Sequence, residues 1–357
     1  MTQFALPPEL EQLSHEATRF AAAELAPGAR ASERAGAWPP AVLAVVEKLG
    51  LRELDLPESL GGAGAGALAK VVLLEALAAG DAGGLPAADP AGTCVGALLA
   101  CPDRALAERV ARACLAGEAR AALAVADAEP AGPTAVYWAP ARPPLRFVFE
   151  SRGDGLRLYQ LERPLEPVRA LAFQASGGGS ASLEGARQLG EWRLSTQESV
   201  DVRGRARLWC AAVALGVAQA AFDATIAYAT DRVVFGKPVA HHQGNAFELA
   251  VAAANLHGAR LLARDAAASF DRGEPDAGFW ATQAWLAAVD AGVAVTDLGV
   301  QLLGGHGFLV DHPAEKRFRE VRMLALLAGG RDLADADLAA RVLEVPDPLF
   351  AGAGATS

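Results

Sequence analysis

The chain has 357 residues, enough to bury a substantial core and to divide into two or three domains. With 52% apolar and 21% charged residues it reads as a folded soluble protein, and its abundant alanine with only 6% aromatics favours helix packing over an all-β core. A formal net charge of −10 excludes the basic footprint of a nucleic-acid or anionic-membrane binder, so any anionic ligand must be held by local groups.

In chain order, Pro7-Pro8 opens ELEQLSHEATRFAAAELAP, where Leu10, Leu13, Ala17, Phe20 and Ala21 recur at helical spacing until Pro27 closes the run. Trp38-Pro39-Pro40 opens a second helix, AVLAVVEKLG, because proline in a first helical turn removes only an N–H that has no partner anyway. LDLPESLGGAGAG reads as a loop, and a third helix follows around LAKVVLLEALAAG. Residues 1–118 are therefore expected to form a helical domain.

From residue 119 the texture changes. AALAVAD, AVYWAP, LRFVFES, LRLYQLE and WRLSTQES are short runs between Pro, Gly and Asp, as strands are, while ASGGGSASLEGA reads as filler. A reduced β domain is expected over 119–202. Helices exceeding twenty residues then return and predict a C-terminal four-helix bundle over 203–345, with 346–357 as a tail. The fold class is thus mainly α with a small β middle domain.

Cys94, Cys101, Cys114 and Cys210 lack CxxC spacing and read as reduced thiols. The N-terminus lacks the basic-then-apolar pattern of an export signal, and no run is apolar for the roughly 18 residues of a membrane span. These features read as cytoplasmic, with no membrane partner.

Two loops between the long helices carry chemistry. In DRVVFGKPVAHHQ, Arg232 precedes Phe235-Gly236, and Gln243 follows. In QLLGGHGF, Gln301 precedes Gly304, Gly305 and Gly307. A guanidinium pairs with phosphate through two N–H bonds, and Phe235 offers a flat face. Glycines let a ligand approach the backbone, and a glutamine side chain both donates and accepts. Together these groups suit the ADP half of a nucleotide cofactor. Taken singly, Arg232 reads equally as a solvated charge and the glycines as a helix C-cap.

With both loops in place, the chain resembles the acyl-CoA dehydrogenase family from about residue 5 to residue 345. RVVFGKPVAHHQ is similar to that family's RxxFGKPIxxxQ, VQLLGGHGFLVDHPAEKRFREVRM to its VQxxGGxGfxxxyPxErxxRDxr, and LGLRELDLPESLGGAGAG to its LGLxxlxvPExyGGxG. The resemblance implies a helical domain, a middle β domain, a four-helix bundle and a dimer or dimer of dimers. It also implies FAD held between subunits, an acyl-CoA substrate and an electron acceptor such as electron-transfer flavoprotein.

The family's carboxylate base falls, by ungapped counting, at Ala328, followed by Gly329 and, where a flavin-binding Thr is expected, Gly330. The alternative base position, on the first bundle helix, falls at Ala206. Neither is an acid, so no catalytic residue is assigned. The flavin segment TEPxAGSD is reduced to ADAEPAGP, with Ala128 in place of its Thr, and the WITNG-like stretch is missing. Asp127 and Glu129 read as solvated loop acids.

What remains is the set that reaches across the family's dimer interface to a neighbour's FAD; what is lost acts on the subunit's own flavin and substrate. This pattern is that of a non-catalytic partner subunit in heteromeric acyl-CoA dehydrogenases, notably those acting on steroid side-chain thioesters. The expected partner is a base-bearing homologous subunit, with self-association as the alternative. Two other readings stay open: a self-sufficient homo-oligomer using Asp332 or Glu129 as an unusual acid, and a flavin-free structural homologue. His241, His242, His306 and His312 read as surface histidines with no metal site. Arg317, Arg319 and Arg322, with Glu315 and Glu320, read as an exposed ion-pair face.

Overall fold

A computed structural model describes residues 5–126 and 135–344. Seven helices form the first layer: α1 (Pro8–Phe20), α2 (Ala29–Ala35), α3 (Pro40–Lys48), α4 (Ala67–Asp81), α5 (Leu85–Ala88), α6 (Val95–Ala100) and α7 (Arg104–Leu115). Pro27 does not end the first helical run as its sequence suggested. The chain passes through a π turn (Ala21–Leu25) and a 3-10 turn (Ala26–Gly28) into α2, which stops at the left-handed Gly36. Pro27 sits at the start of the 3-10 turn, where the hydrogen-bond pattern changes between the π turn and α2. Helix α4 is buried nearly all round and forms the centre of this layer.

Nine strands follow the first layer: β1 (Arg120–Ala126), β2 (Ala135–Ala139), β3 (Leu145–Arg152), β4 (Gly155–Gln160), β5 (Glu166–Pro167), β6 (Gly179–Ser182), β7 (Arg187–Arg193), and the later pair β8 (Val233–Val234) and β9 (Lys237–Pro238). The first seven make a four-stranded sheet, β1-β3-β4-β7, and a three-stranded sheet, β2-β6-β5. Two expectations change here. The Gly/Ser-rich filler contains β6, which pairs antiparallel with β2 in the register Ala135↔Ser182 and Ala139↔Gly179. WRLSTQES splits, since the strand ends at Arg193 and Ser195 caps a helix through a reciprocal Ser195/Glu198 capping box.

That helix, α8 (Thr196–Asp231), leads into α9 (Gln243–Asp271), α10 (Ala277–Leu303), α11 (Ala314–Leu324) and α12 (Gly330–Glu344). Small residues let these helices approach closely: a Cβ on Gly204 would lie 2.5 Å from Gly278 Cα, and one on Gly216 2.2 Å from the Glu75 carbonyl of α4. Main-chain contact of this kind ties the first layer to the bundle. A second tie is ionic. Lys316 of α11, buried, donates to Asp81 of α4 (2.7 Å) and to Glu320 (2.5 Å), while Trp38 Nε1 donates to the other oxygen of Asp81 (2.7 Å).

The expected exposed ion-pair face on α11 is therefore partly an interior seam, because Glu320 is buried and Arg319 reaches Glu33 (2.7 Å) as well as Glu315 (2.7 Å). Arg322 lies over the Phe318 ring. The membrane expectation also needs correction. By length and composition Ala67–Ala88, Thr196–Asp231 and Ala277–His306 are each long and apolar enough to cross a membrane. Alanine raises mean hydropathy over a long window while isolated polar residues interrupt every continuous apolar run. In this fold these helices supply much of the interior.

The four cysteines are buried and free, and burial pushes the Cys114 and Cys210 thiols up to about 12.

Candidate functional site

The connection from α8 to α9 is a tight hairpin. Arg232 leaves the helix, its N–H still donating to the Tyr228 carbonyl (2.8 Å), and β8 and β9 pair around Phe235-Gly236. Both turn residues have positive φ, 51° and 80°, as a two-residue hairpin turn of matching twist requires. Glycine adopts that conformation freely; a phenylalanine there is strained, and its ring is 94% exposed. His242 braces the turn through Nε2 at 3.0 Å from the Val234 carbonyl, and its ring meets that of Phe235 edge-on. Arg232 and Gln243 are exposed, and the Arg232 guanidinium has no ion pair among the described residues.

The second loop ends α10. Gln301 is exposed two residues before the end of α10, and the chain turns at Gly304 with φ 58°. A Cβ on Gly304 or Gly305 would meet nothing within 4 Å, so their backbone is open to a ligand. Gly307 differs: a Cβ there would lie 2.2 Å from the Val300 carbonyl, so this glycine is needed to fold the loop back. Because α9 runs antiparallel to its neighbours, both loops emerge at one end of the bundle, where Tyr228 and Leu303 border a common cavity. Phe247 and Val251 on the first turns of α9, and Phe308 and Val310 just after the glycine loop, are exposed. His306 and His312 lie side by side, and among the described residues no three metal-ligating side chains gather.

The two positions at which ungapped counting puts the family's base lie together elsewhere. Ala206 on α8 and Ala328, in the left-handed conformation (φ 54°) after α11, line one cavity of about 90 Å3. Among the described residues Asp89 is the only carboxylate on that lining. Its Oδ2 accepts from Trp209 Nε1 and Lys70 Nζ, both at 2.9 Å, while Oδ1 has no partner among the described residues. Lys70 also reaches Asp55 (3.3 Å). Burial alone would push Lys70 down, but Asp55 and Asp89 outweigh it and hold its pKa above the usual lysine value.

Arg120, on the same lining, is buried with its Nη atoms on backbone carbonyls, and burial pushes its guanidinium down to about 10. This cluster of Lys70, Asp89 and Arg120 escaped the sequence reading. A lysine inside the apolar run ALAKVVLLEALAAG was its one visible signal, since a buried lysine requires a carboxylate partner. Of the acids considered as substitutes for a base, Asp332 is exposed in the first turn of α12 and is not on this lining, and Glu129, with all of 127–134, lies outside the described residues.

The arrangement fits FAD in part. Exposed guanidinium, aromatic face, amide and open glycine backbone suit an ADP moiety presented from outside the chain. The cavity at Ala206 and Ala328 is far below the 300–1000 Å3 of ordinary cofactor sites and would not take a flavin ring as it stands.

Comparison with known proteins gives the family. The model of the acyl-CoA dehydrogenase N-terminal domain matches residues 7–118 and that of the C-terminal domain matches residues 203–343, between them most of the chain. The chain is 28% identical over 369 residues to the probable acyl-CoA dehydrogenase FadE25 of Mycobacterium tuberculosis, covering 91% of this chain and 93% of that protein. Among solved structures it is similar to butyryl-CoA dehydrogenase from Megasphaera elsdenii (TM-score 0.77, 20% identity, 96% of this chain and 100% of that one). It is also similar to a Tcur3481-Tcur3483 steroid ACAD variant (TM-score 0.75, 23% identity, 94% and 98%). The chain belongs to the acyl-CoA dehydrogenase family, whose members carry out FAD-dependent dehydrogenation of acyl-CoA.

Proposed function

We propose that this chain is the subunit of a hetero-oligomeric acyl-CoA dehydrogenase that completes the FAD site of a base-bearing homologous partner and carries no working site of its own. One observation bears most of the weight. Ala206 and Ala328, at the positions where ungapped counting puts the family's base, line the same small cavity, and Asp89, the only acid there among the described residues, has one oxygen held by a lysine and an indole. The opposite condition holds at Arg232, Phe235, Gln243, Gln301, Gly304 and Gly305, which are exposed and unencumbered on an apolar face suited to a homologous subunit.

In that assembly Arg232 would pair with the FAD pyrophosphate and Phe235 would cover a ring, while abstraction of the acyl-CoA proton falls to the partner's carboxylate. Electron-transfer flavoprotein is the acceptor we expect. A bulky acyl-CoA of the steroid side-chain class is the first substrate to test, supported by the likeness to the Tcur3481-Tcur3483 steroid ACAD.

Purification of the chain alone and together with a homologue that retains Glu-Gly-Thr tests the reading. The chain alone should be colourless, and the complex should be yellow and active. Stoichiometric FAD and acyl-CoA oxidation by the chain alone would show the proposal to be wrong.

A further inference from the structure

About 50 Å along α8 from Arg232, at 1.5 Å per residue, the β3–β4 turn and the N-termini of α8 and α10 face α12 across a cavity of about 490 Å3. That volume is within the range of small-molecule sites, and Val200, Phe279 and Leu338 give it an apolar wall. The facing wall carries the first turns of two helices, each with one carboxylate already in place: Glu198 accepts from the Ser195 N–H and hydroxyl on α8, and Asp201 accepts from the Gly278 N–H on α10. On α8, Ser195 Oγ takes the Glu198 N–H and the Ser195 carbonyl takes that of Ser199, which leaves the Thr196 and Gln197 N–H groups for a ligand. On α10, Ala277, Gly278 and Trp280 donate to Glu274, Asp201 and Asp276, which leaves the N–H of Phe279. Two long helices thus direct their positive ends at one space.

The side chains reinforce this. Ser199 borders the cavity, is 3% exposed, and its Oγ has no hydrogen-bond partner among the described residues. The three acids on the lining are all matched: Asp276 by Arg341 (2.7 Å), Asp154 by Arg193 (2.6 Å), and Asp337 by both Arg203 (2.7 Å) and Arg207 (2.6 Å). Asp337 is thus held by two guanidinium groups, and of these only Arg203 is on the lining. Arg207, fully buried and donating to Thr282 Oγ1, keeps Nε and Nη2 without partners among the described residues.

We propose that this cavity binds an organic anion, a carboxylate with an apolar body, its head at the starts of α8 and α10 beside Ser199 and its body against Phe279 and Leu338. The site is independent of the cofactor loops at the other end of the bundle. Calorimetric titration of the full chain with octanoate should give one saturable site that weakens with salt, and 1-octanol should bind at least about tenfold more weakly because it lacks the charge-assisted bonds. Leu338→Trp, which fills the cavity, should abolish octanoate binding, and Ser199→Ala should weaken it by about three- to tenfold. Arg232→Ala should leave it unchanged. Thermal melts of each variant establish that it is folded. Absence of octanoate binding, equal binding of 1-octanol, or binding undiminished in both Leu338→Trp and Ser199→Ala overturns the proposal.

Discussion

The hairpin at Phe235 and the turn at Ala328 share a backbone peculiarity and differ in everything around it. Each holds a non-glycine residue in the left-handed region, at φ 51° and 54°. Phe235 projects into solvent three residues after Arg232, whose guanidinium has no ion pair among the described residues. Ala328 faces a small cavity backed by Lys70, Asp89 and Arg120, which are buried: Asp89 Oδ2 is held by Lys70 and the Arg120 Nη atoms by backbone carbonyls, while Asp89 Oδ1 and Arg120 Nε have no partner among the described residues. Strained backbone alone therefore does not mark a working site. The chemistry offered to a ligand depends on whether the nearby polar groups are exposed or enclosed.

The largest effect that would sharpen this contrast is on stability at the closed end. Asp89→Ala leaves the buried Lys70 with Asp55 as its one carboxylate among the described residues, leaves the Trp209 N–H unpaired and removes a negative charge that favours the buried Arg120 guanidinium. Breaking a buried ion pair from one side costs about 3–5 kcal/mol. Urea unfolding of the full chain should show that loss, and a change under about 1 kcal/mol would mean that the cluster is not the structural support described here.

At the open end the expected effect is on cofactor and leaves stability alone. Arg232→Ala removes an exposed side chain with no internal partner, so unfolding should shift by no more than about 0.5 kcal/mol. FAD retention by the complex should fall by roughly 10- to 150-fold, the equivalent of about 1.5–3 kcal/mol for a charge-assisted pair. Unchanged FAD content would break the comparison, because the open end would then hold nothing.

Much of this was legible from residues alone where periodicity or chemistry is local. The long helices, the β1, β3 and β4 runs and both loops follow from spacing and composition. What escaped was non-local. β6 has no apolar alternation and exists because β2 supplies its hydrogen bonds, and the ion pairs of Lys70, Asp89, Lys316 and Asp81 join segments far apart in the chain. The start of α8 was missed for a different reason, since the Ser195-x-x-Glu198 box was present but was absorbed into a strand reading of its neighbours. That Ala206 and Ala328 share a cavity is a fact of packing; their chain positions alone do not bring them together.

The smallest effect tests the shared peculiarity itself. A side chain in the left-handed region costs about 1–2 kcal/mol, and glycine avoids that cost while giving back part of it as unfolded-state entropy. Ala328→Gly should therefore stabilise the chain by about 0.5–1 kcal/mol and leave the FAD content of the complex unchanged, because no group of Ala328 is offered to a ligand. Phe235→Gly should give a similar gain in stability, since its ring is almost fully exposed and contributes little packing. In that variant, however, FAD retention should weaken with the loss of the aromatic face. If the two variants behave alike in FAD retention, the strain at Phe235 is as idle as that at Ala328, and the grip on the cofactor rests on Arg232 and the open glycine backbone alone.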